Sequence, residues 1–133
     1  MKSRIIHYEL PGAWTVLAGA TDADNDRLST EIAAAEDWWF HAEGIPGSHV
    51  ILRAKADESP SRETLRQAAA IAAYHSKARR AGRVRVHYTR ARHVRKPRGA
   101  RPGTVEAPRG DVLQVHPDIS FAKRVRKESS GEP

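Results

Sequence analysis

The chain is 133 residues long, 39% hydrophobic, carries a formal net charge of +7 and contains no cysteine. That length suits one domain with its own core and is short for two; the absence of Cys excludes disulfides and thiolate chemistry and fits a reducing compartment. No apolar run approaches the ~20 residues of a membrane span, and the first residues lead into alternation rather than an apolar signal segment, so the expectation is a cytoplasmic protein with no membrane partner.

In chain order, residues 5–10 and 13–19 are β-rich runs separated by Pro11-Gly12, which predicts a hairpin. In TDADNDRLSTEIAAA, the side chain of Asp24, Asn25 or Asp26 is expected to cap a short helix with apolar spacing at Leu28, Ile32 and Ala35. The same three oxygen-bearing residues could face a hard cation, but an adjacent run cannot wrap an ion and no EF-hand-like continuation follows. WWFHAEGIPGSHVILR predicts two strands, about 38–42 and 49–54, around a loop at 43–48. Ser59-Pro60-Ser61 opens the longest predicted helix, which runs to about Arg80, is ended by Gly82 and lines Leu65, Ala68, Ala69 and Ala72 on one face.

RVRVHYT alternates, with Val84, Val86 and Tyr88 on one face and Arg83, Arg85 and His87 on the other. VRKPRGARPG then reads as a basic loop stiffened by two prolines and two glycines, and 112–116 as a last strand. The expectation is an α+β fold: a single domain over residues 1–117, mainly antiparallel strands packed on one long helix and one short helix, followed by a basic tail over 118–133 that is poorly ordered.

Charge is unevenly spread. Residues 1–60 hold 5 Lys/Arg against 10 Asp/Glu, a balance of −5, whereas residues 61–133 hold 18 against 6, a balance of +12. No acidic residue lies between Glu63 and Glu106, and Arg outnumbers Lys, which favours a polyanion partner. Within that block Val94 is expected to anchor the basic loop while Arg95, Lys96, Arg98 and Arg101 point outward, with Pro97 and Gly99 lowering the cost of ordering them. Lys77, Arg79 and Arg80 fall in the last turn of the predicted helix, where their charge also suits the helix dipole. The aromatic residues could stack on unpaired bases, but alternation groups Tyr88 with the core, Trp14 is expected there too, and Trp38 and Trp39 point to opposite faces.

His41 and His49 are the candidates for chemistry. If the strands pair around 43–48, they sit together at the hairpin mouth, roughly 5 Å apart between Cβ atoms. Three readings suit that nearness: a structural hairpin that touches RNA, a metal-independent ribonuclease using both as general acid and base, and a zinc site completed by His75, His87 or Asp37, for which neither HxH nor HExxH spacing is present.

LPGAWTVLAG, DNDRL, WWFHAEGIPGSHVILR, ETLRQAAAIAAYHSKAR and VHYTRARHVRKPRGARPGTV, in this order over about Ala13 to Pro117, resemble the NFACT-R domain of the NFACT proteins of ribosome quality control. The resemblance implies an RNA-binding domain. Full-length relatives add an NFACT-N domain, a helix–hairpin–helix segment and a coiled coil, and bind the stalled large ribosomal subunit and tRNA; this chain looks like a stand-alone version, to which alanine tailing does not carry over. Two positions depart from the pattern: Ala20 stands where a basic residue is common, and Arg92 where Lys is common.

The combined expectation is a non-catalytic RNA-binding protein contacting tRNA or large-subunit ribosomal RNA, in the setting of the ribosome, with no cofactor, metal or small-molecule substrate. Arg85, Arg95, Lys96, Arg98 and Arg101 are expected to hold phosphates, with Lys77 as a further contact. His41, Ser48, His49 and Arg53 form the more specific part of the site. The alternatives are the ribonuclease and a protein adaptor docking on an acidic ribosomal partner.

Overall fold

Residues 4–125 are described by the structure, a computed structural model. Seven strands form one antiparallel sheet: β1 (Ile5–Leu10), β2 (Trp14–Gly19), β3 (Trp38–Ala42), β4 (Val50–Leu52), β5 (Val84–Arg90), β6 (Asp111–Val115) and β7 (Lys123–Val125), in the spatial order β6-β5-β3-β4-β2-β1-β7. The β1–β2 hairpin turns on Pro11 and Gly12, whose φ of 87° is the left-handed value that the third residue of a type II turn requires. The turn is closed by the Ala13 amide donating to the Leu10 carbonyl at 3.1 Å.

Helix α1 (Asp22–Arg27) runs on through a π-helical turn at Leu28–Ile32. Its cap is Thr21, whose hydroxyl accepts from the Asp24 amide at 3.1 Å, and not one of the three residues that follow. Capping one turn earlier releases Asp24, Asn25 and Asp26 for longer-range bonds. Asp24 accepts from the Arg4 amide, Asn25 Oδ1 from the His49 amide at 3.0 Å, and Asp26 from the Gly103 amide at 2.8 Å.

Helix α2 (Arg62–Tyr74) is capped by Ser61, whose hydroxyl accepts from the Thr64 amide at 3.0 Å. It stops short of Arg80 and is comparable in length to the other helical segment, which corrects the expectation of one long and one short helix. The reason is competition for the backbone. His75 O accepts from the Ser48 amide, Lys77 N donates to Pro46 O, and Gly47 bridges to Ser76, so the loop at 43–48 takes the groups that would have continued the helix. A Cβ at Gly47 would lie 2.9 Å from the Ser76 Cβ, so this approach needs a glycine.

The two sheet faces build separate cores. The α2 face buries Tyr8, Leu10, Val16, Phe40, Val50, Leu52, Val84 and Val86 against Ala68–Ala73 of the helix. On the other face Leu17, Trp39 and Ile51 pack under Leu28, with Ile32, Val94 and Val105 around them. The basic loop, through Val94 and Val105, therefore roofs the second core. Trp38 and Trp39 do point to opposite faces; neither is fully exposed, and Trp14 is buried.

The segment read as a tail enters the sheet instead: Lys123–Val125 pair with β1, opposite Glu9, Tyr8 and His7. Alternation there is too short to be read from the sequence. The rest of the expected tail, 126–133, lies outside the described residues. Among the described residues no helix is long and apolar enough to cross a membrane.

Phe40 is fully buried and stacks on Tyr88 with 5.7 Å between ring centroids. Phe40→Ala is expected to destabilise the fold by about 3–5 kcal/mol, read as a lowered urea midpoint by circular dichroism.

Candidate nucleic-acid interface

The β3–β4 register pairs Trp38 with Leu52, Trp39 with Ile51 and Phe40 with Val50, which brings His41 and His49 together at the mouth of the hairpin. Their rings meet edge to face, 5.5 Å between centroids. His41 also pairs with His87 of β5, so three imidazoles form a row across β4, β3 and β5 on the face opposite α2. Trp39 lies beside all three: stacked on His41 at 5.9 Å and edge-on to His49 and His87.

His49 is buried, and its Nδ1 sits 2.7 Å from the Ser29 hydroxyl, which accepts from Trp39 Nε1 at 3.0 Å. His41 and His87 are half-buried, and His87 Nε2 lies 2.9 Å from the Arg109 carbonyl oxygen. Among the described residues no group of three His, Asp or Glu is placed to hold a metal ion.

The residues expected to give the site its specificity divide. Ser48 faces inward: its hydroxyl donates to Gly19 O at 2.5 Å and its amide to His75 O at 3.0 Å. Arg53 uses one Nη1 to donate to both Ile32 O and the buried Asp37 carboxylate, at 2.9 and 2.8 Å, while Asp37 also accepts from the Ala34 and Ala54 amides. Both side chains hold the fold. His41 is half-buried, and its ring is bonded by the backbone at Gly47 and Ala42.

The basic loop is shaped by two tight turns. Ala100 N donates to Pro97 O across Gly99, and Thr104 N to Arg101 O across Pro102-Gly103, with φ of 75° at Gly99 and 85° at Gly103. An antiparallel bridge between Arg95 and Glu106 closes its base, with an ion pair of 3.2 Å between their side chains.

Lys96 does not point outward. Its ammonium turns in to Asp26 at 3.1 Å and donates to Arg101 O at 2.6 Å, so burial of its stem and a carboxylate on α1 fix the loop from beneath. Arg98 and Arg101 remain, exposed at the tip with no side-chain partner among the described residues. Arg85 is exposed on the open sheet face and bridged to Glu43 at 2.8 Å, and Lys77 is exposed just past α2. The contribution of Asp26 was missed in the sequence because its partners, Lys96 and Gly103, lie far along the chain; the only local trace was the acidic run of Asp22, Asp24 and Asp26.

Burial is the main cause that holds the His41 pKa below the usual imidazole value, with the neighbouring His87 charge adding to it against opposing backbone bonds from Gly47 and Ala42. Burial, then His41, pushes His49 down to about 4. Burial thus disfavours charge on His41 and His49, and the arginines supply positive charge on this side.

A seven-stranded α+β domain whose outer loop presents Arg98 and Arg101 without a counterion among the described residues belongs to the class of small basic domains suited to polyanions. Residues 5–107 match the family described as the NFACT protein RNA binding domain, and the chain belongs to that family. It is 41% identical over 120 residues to the Rqc2 homolog RqcH of Bacillus subtilis (strain 168) and 40% identical over 115 residues to that of Streptococcus suis (strain 05ZYH33), covering 90% and 86% of this chain. It spans only 20% of the length of each of these curated relatives. The solved C-terminal part of the fibronectin/fibrinogen-binding protein from Streptococcus suis superimposes with a TM-score of 0.81 at 35% identity, over 89% of this chain and 47% of that one.

The lowered histidine pKa values set a pH dependence. A histidine held neutral by the fold contributes stability that is present above its unfolded pKa near 6.5 and is lost as pH falls toward the folded value. His49, with a folded pKa of about 4, accounts for roughly 3 kcal/mol of that loss. Unfolding free energy from urea titrations is expected to fall between pH 6.5 and 4, and to fall less in His41→Gln; a flat profile over that window would contradict the lowered pKa values of His41 and His49.

Proposed function

We propose that this domain is a non-catalytic RNA-binding module of ribosome quality control, acting in the cytoplasm on tRNA or large-subunit ribosomal RNA. The observation that carries the reading is the pair Arg98 and Arg101, two guanidinium groups on a stiff, doubly turned loop with no carboxylate among the described residues to neutralise them, in a chain of the NFACT RNA-binding family. Guanidinium forks match phosphate geometry, and a loop ordered in advance loses little entropy on binding.

Arg95 and Arg85 join them as phosphate contacts, because Glu106 and Glu43, which now hold them, are themselves exposed and their ion pairs are weak in water. Lys77 adds charge at the neighbouring end of the domain. His41 lies beside the loop at 43–48 as a neutral, half-covered ring suited to contact a base or a ribose. Lys96, Ser48, His49 and Arg53 act as supports of this surface rather than as contacts, a revision that their inward bonds require.

A ribonuclease reading would need both histidines to reach a substrate. His49 is 3% exposed and its Nδ1 is engaged by Ser29, which favours the binding reading over the catalytic one.

Arg98→Ala with Arg101→Ala is expected to weaken binding to labelled tRNA about tenfold and to flatten the salt dependence by roughly 1.4–1.8 in log–log slope, the contribution of two phosphates. Lys96→Ala is expected to act first on thermal stability. Fluorescence anisotropy over a series of KCl concentrations checks both; undiminished affinity and slope in the arginine pair would overturn the assignment of the loop.

A further inference from the structure

Just past helix α2 lies a second group of cations, of which the proposed site uses Lys77 alone. Arg79 and Arg80 are exposed beside Lys77, and none of the three forms a salt bridge among the described residues, whereas eight other Lys and Arg side chains do. Arg79 is held in place: its guanidinium carbon lies 4.1 Å over the Tyr74 ring and its Nε donates to the Tyr74 carbonyl oxygen at 2.6 Å.

Strand β7 brings a fourth cation. Arg124 pairs with Tyr8 in the register, and directly opposite residues project to the same face, here the side that carries α2. The Tyr8 hydroxyl is 2.7 Å from His75 Nε2, at the end of that helix. Burial first, then the charges of Arg79 and Arg124, push His75 down to about 4, and Arg124 is the strongest influence opposing the burial that raises the Tyr8 pKa. Two arginines far apart in sequence thus converge on one buried tyrosine–histidine pair. Glu9, the carboxylate nearest in the register, pairs with Lys123 and projects to the other side of the sheet.

Like charges gathered around a desolvated pair repel, and the fold elsewhere answers its cations with Glu36, Asp37, Glu43 or Glu106. Here it supplies a ring and a carbonyl, which orient Arg79 without neutralising it. The surface is exposed and polar, and suits an anion that is extended and repeated.

We propose that Lys77, Arg79, Arg80 and Arg124 form a second phosphate-binding surface for RNA, on the side of the sheet opposite the basic loop. This rests on the RNA-binding reading above. The basic loop covers the core of Leu17, Trp39 and Ile51, whereas Arg79 and Arg124 lie on the α2 side, so one RNA touching both must fold or bend around the domain. The ligand class is accordingly a structured RNA that offers two separated runs of phosphate. Arg124 lies beyond the segment that matches the family, so this surface combines a family helix with a strand outside it.

The test compares the full chain with Arg79→Ala/Arg124→Ala and with Arg98→Ala/Arg101→Ala, against labelled tRNA and against a labelled six-nucleotide single strand over a KCl series. The α2-side pair is expected to weaken tRNA binding about five- to tenfold, to lower the salt slope by about 1.4–1.8, and to change the affinity for the short strand less than twofold. Arg79→Lys/Arg124→Lys is expected to restore most of the tRNA affinity, and thermal unfolding checks that each variant is folded. Wild-type affinity in Arg79→Ala/Arg124→Ala while Arg98→Ala/Arg101→Ala is weakened would overturn the second surface alone. Wild-type affinity in both pairs would remove the RNA-binding reading and this proposal with it.

Discussion

The carboxylate of Asp26 is the constraint on which the arrangement of the surface depends. It is partly buried, it takes the Lys96 ammonium and the Gly103 amide together, and it stands on a helix that is itself bonded to β1 through Asp24 and to β4 through Asn25. Three consecutive polar side chains thus tie helix, sheet and loop into one body. An ion pair sheltered from water is screened less than a surface pair, and removal of one partner leaves the other charge without compensation. The loop keeps its shape because one of its own cations is spent inward, which divides its charge by role: Lys96 fixes the backbone, and Arg98 and Arg101 face outward.

Much of this was legible in the sequence where the signal was local. Alternation gave β1, β2 and β5, Pro11-Gly12 gave the first turn, and the fifteen residues of WWFHAEGIPGSHVIL gave a hairpin that brings His41 and His49 together. The family resemblance, carried by ordered ungapped motifs, holds over residues 5–107. What could not be read depends on contacts between distant segments. Helix α2 has the composition to continue past Tyr74, and ends there because Pro46, Gly47 and Ser48 capture its backbone. Lys96 and Arg98 look equivalent in VRKPRGARPG, and only the position of Asp26 separates them. Ser48 and Arg53 are polar residues near a candidate site, yet their partners Gly19, Ile32 and Asp37 turn both inward.

The two faces of the sheet have different electrostatic characters for a physical reason. The α2 face is filled by small alanines and large β-branched or aromatic partners, with Tyr88 stacked on Phe40 and the Tyr8–His75 pair at its margin. The opposite face is covered only in part, by the π-helical turn and the loop, and it carries His41 and His49, whose charged forms burial disfavours. Rings of this kind next to guanidiniums give a surface with both stacking area and charge.

The ion pairs Arg85–Glu43 and Arg95–Glu106 have a further consequence. A carboxylate already seated on an arginine is an occupant that any incoming anion must displace, so these glutamates act as tethered rivals of the ligand. Isolated phosphates or acidic side chains offer little more than the glutamate they would replace. A polymer that engages several cations at once gains from all of them together. Under the RNA-binding reading proposed above, the two glutamates would thus favour long, densely charged ligands over isolated anions.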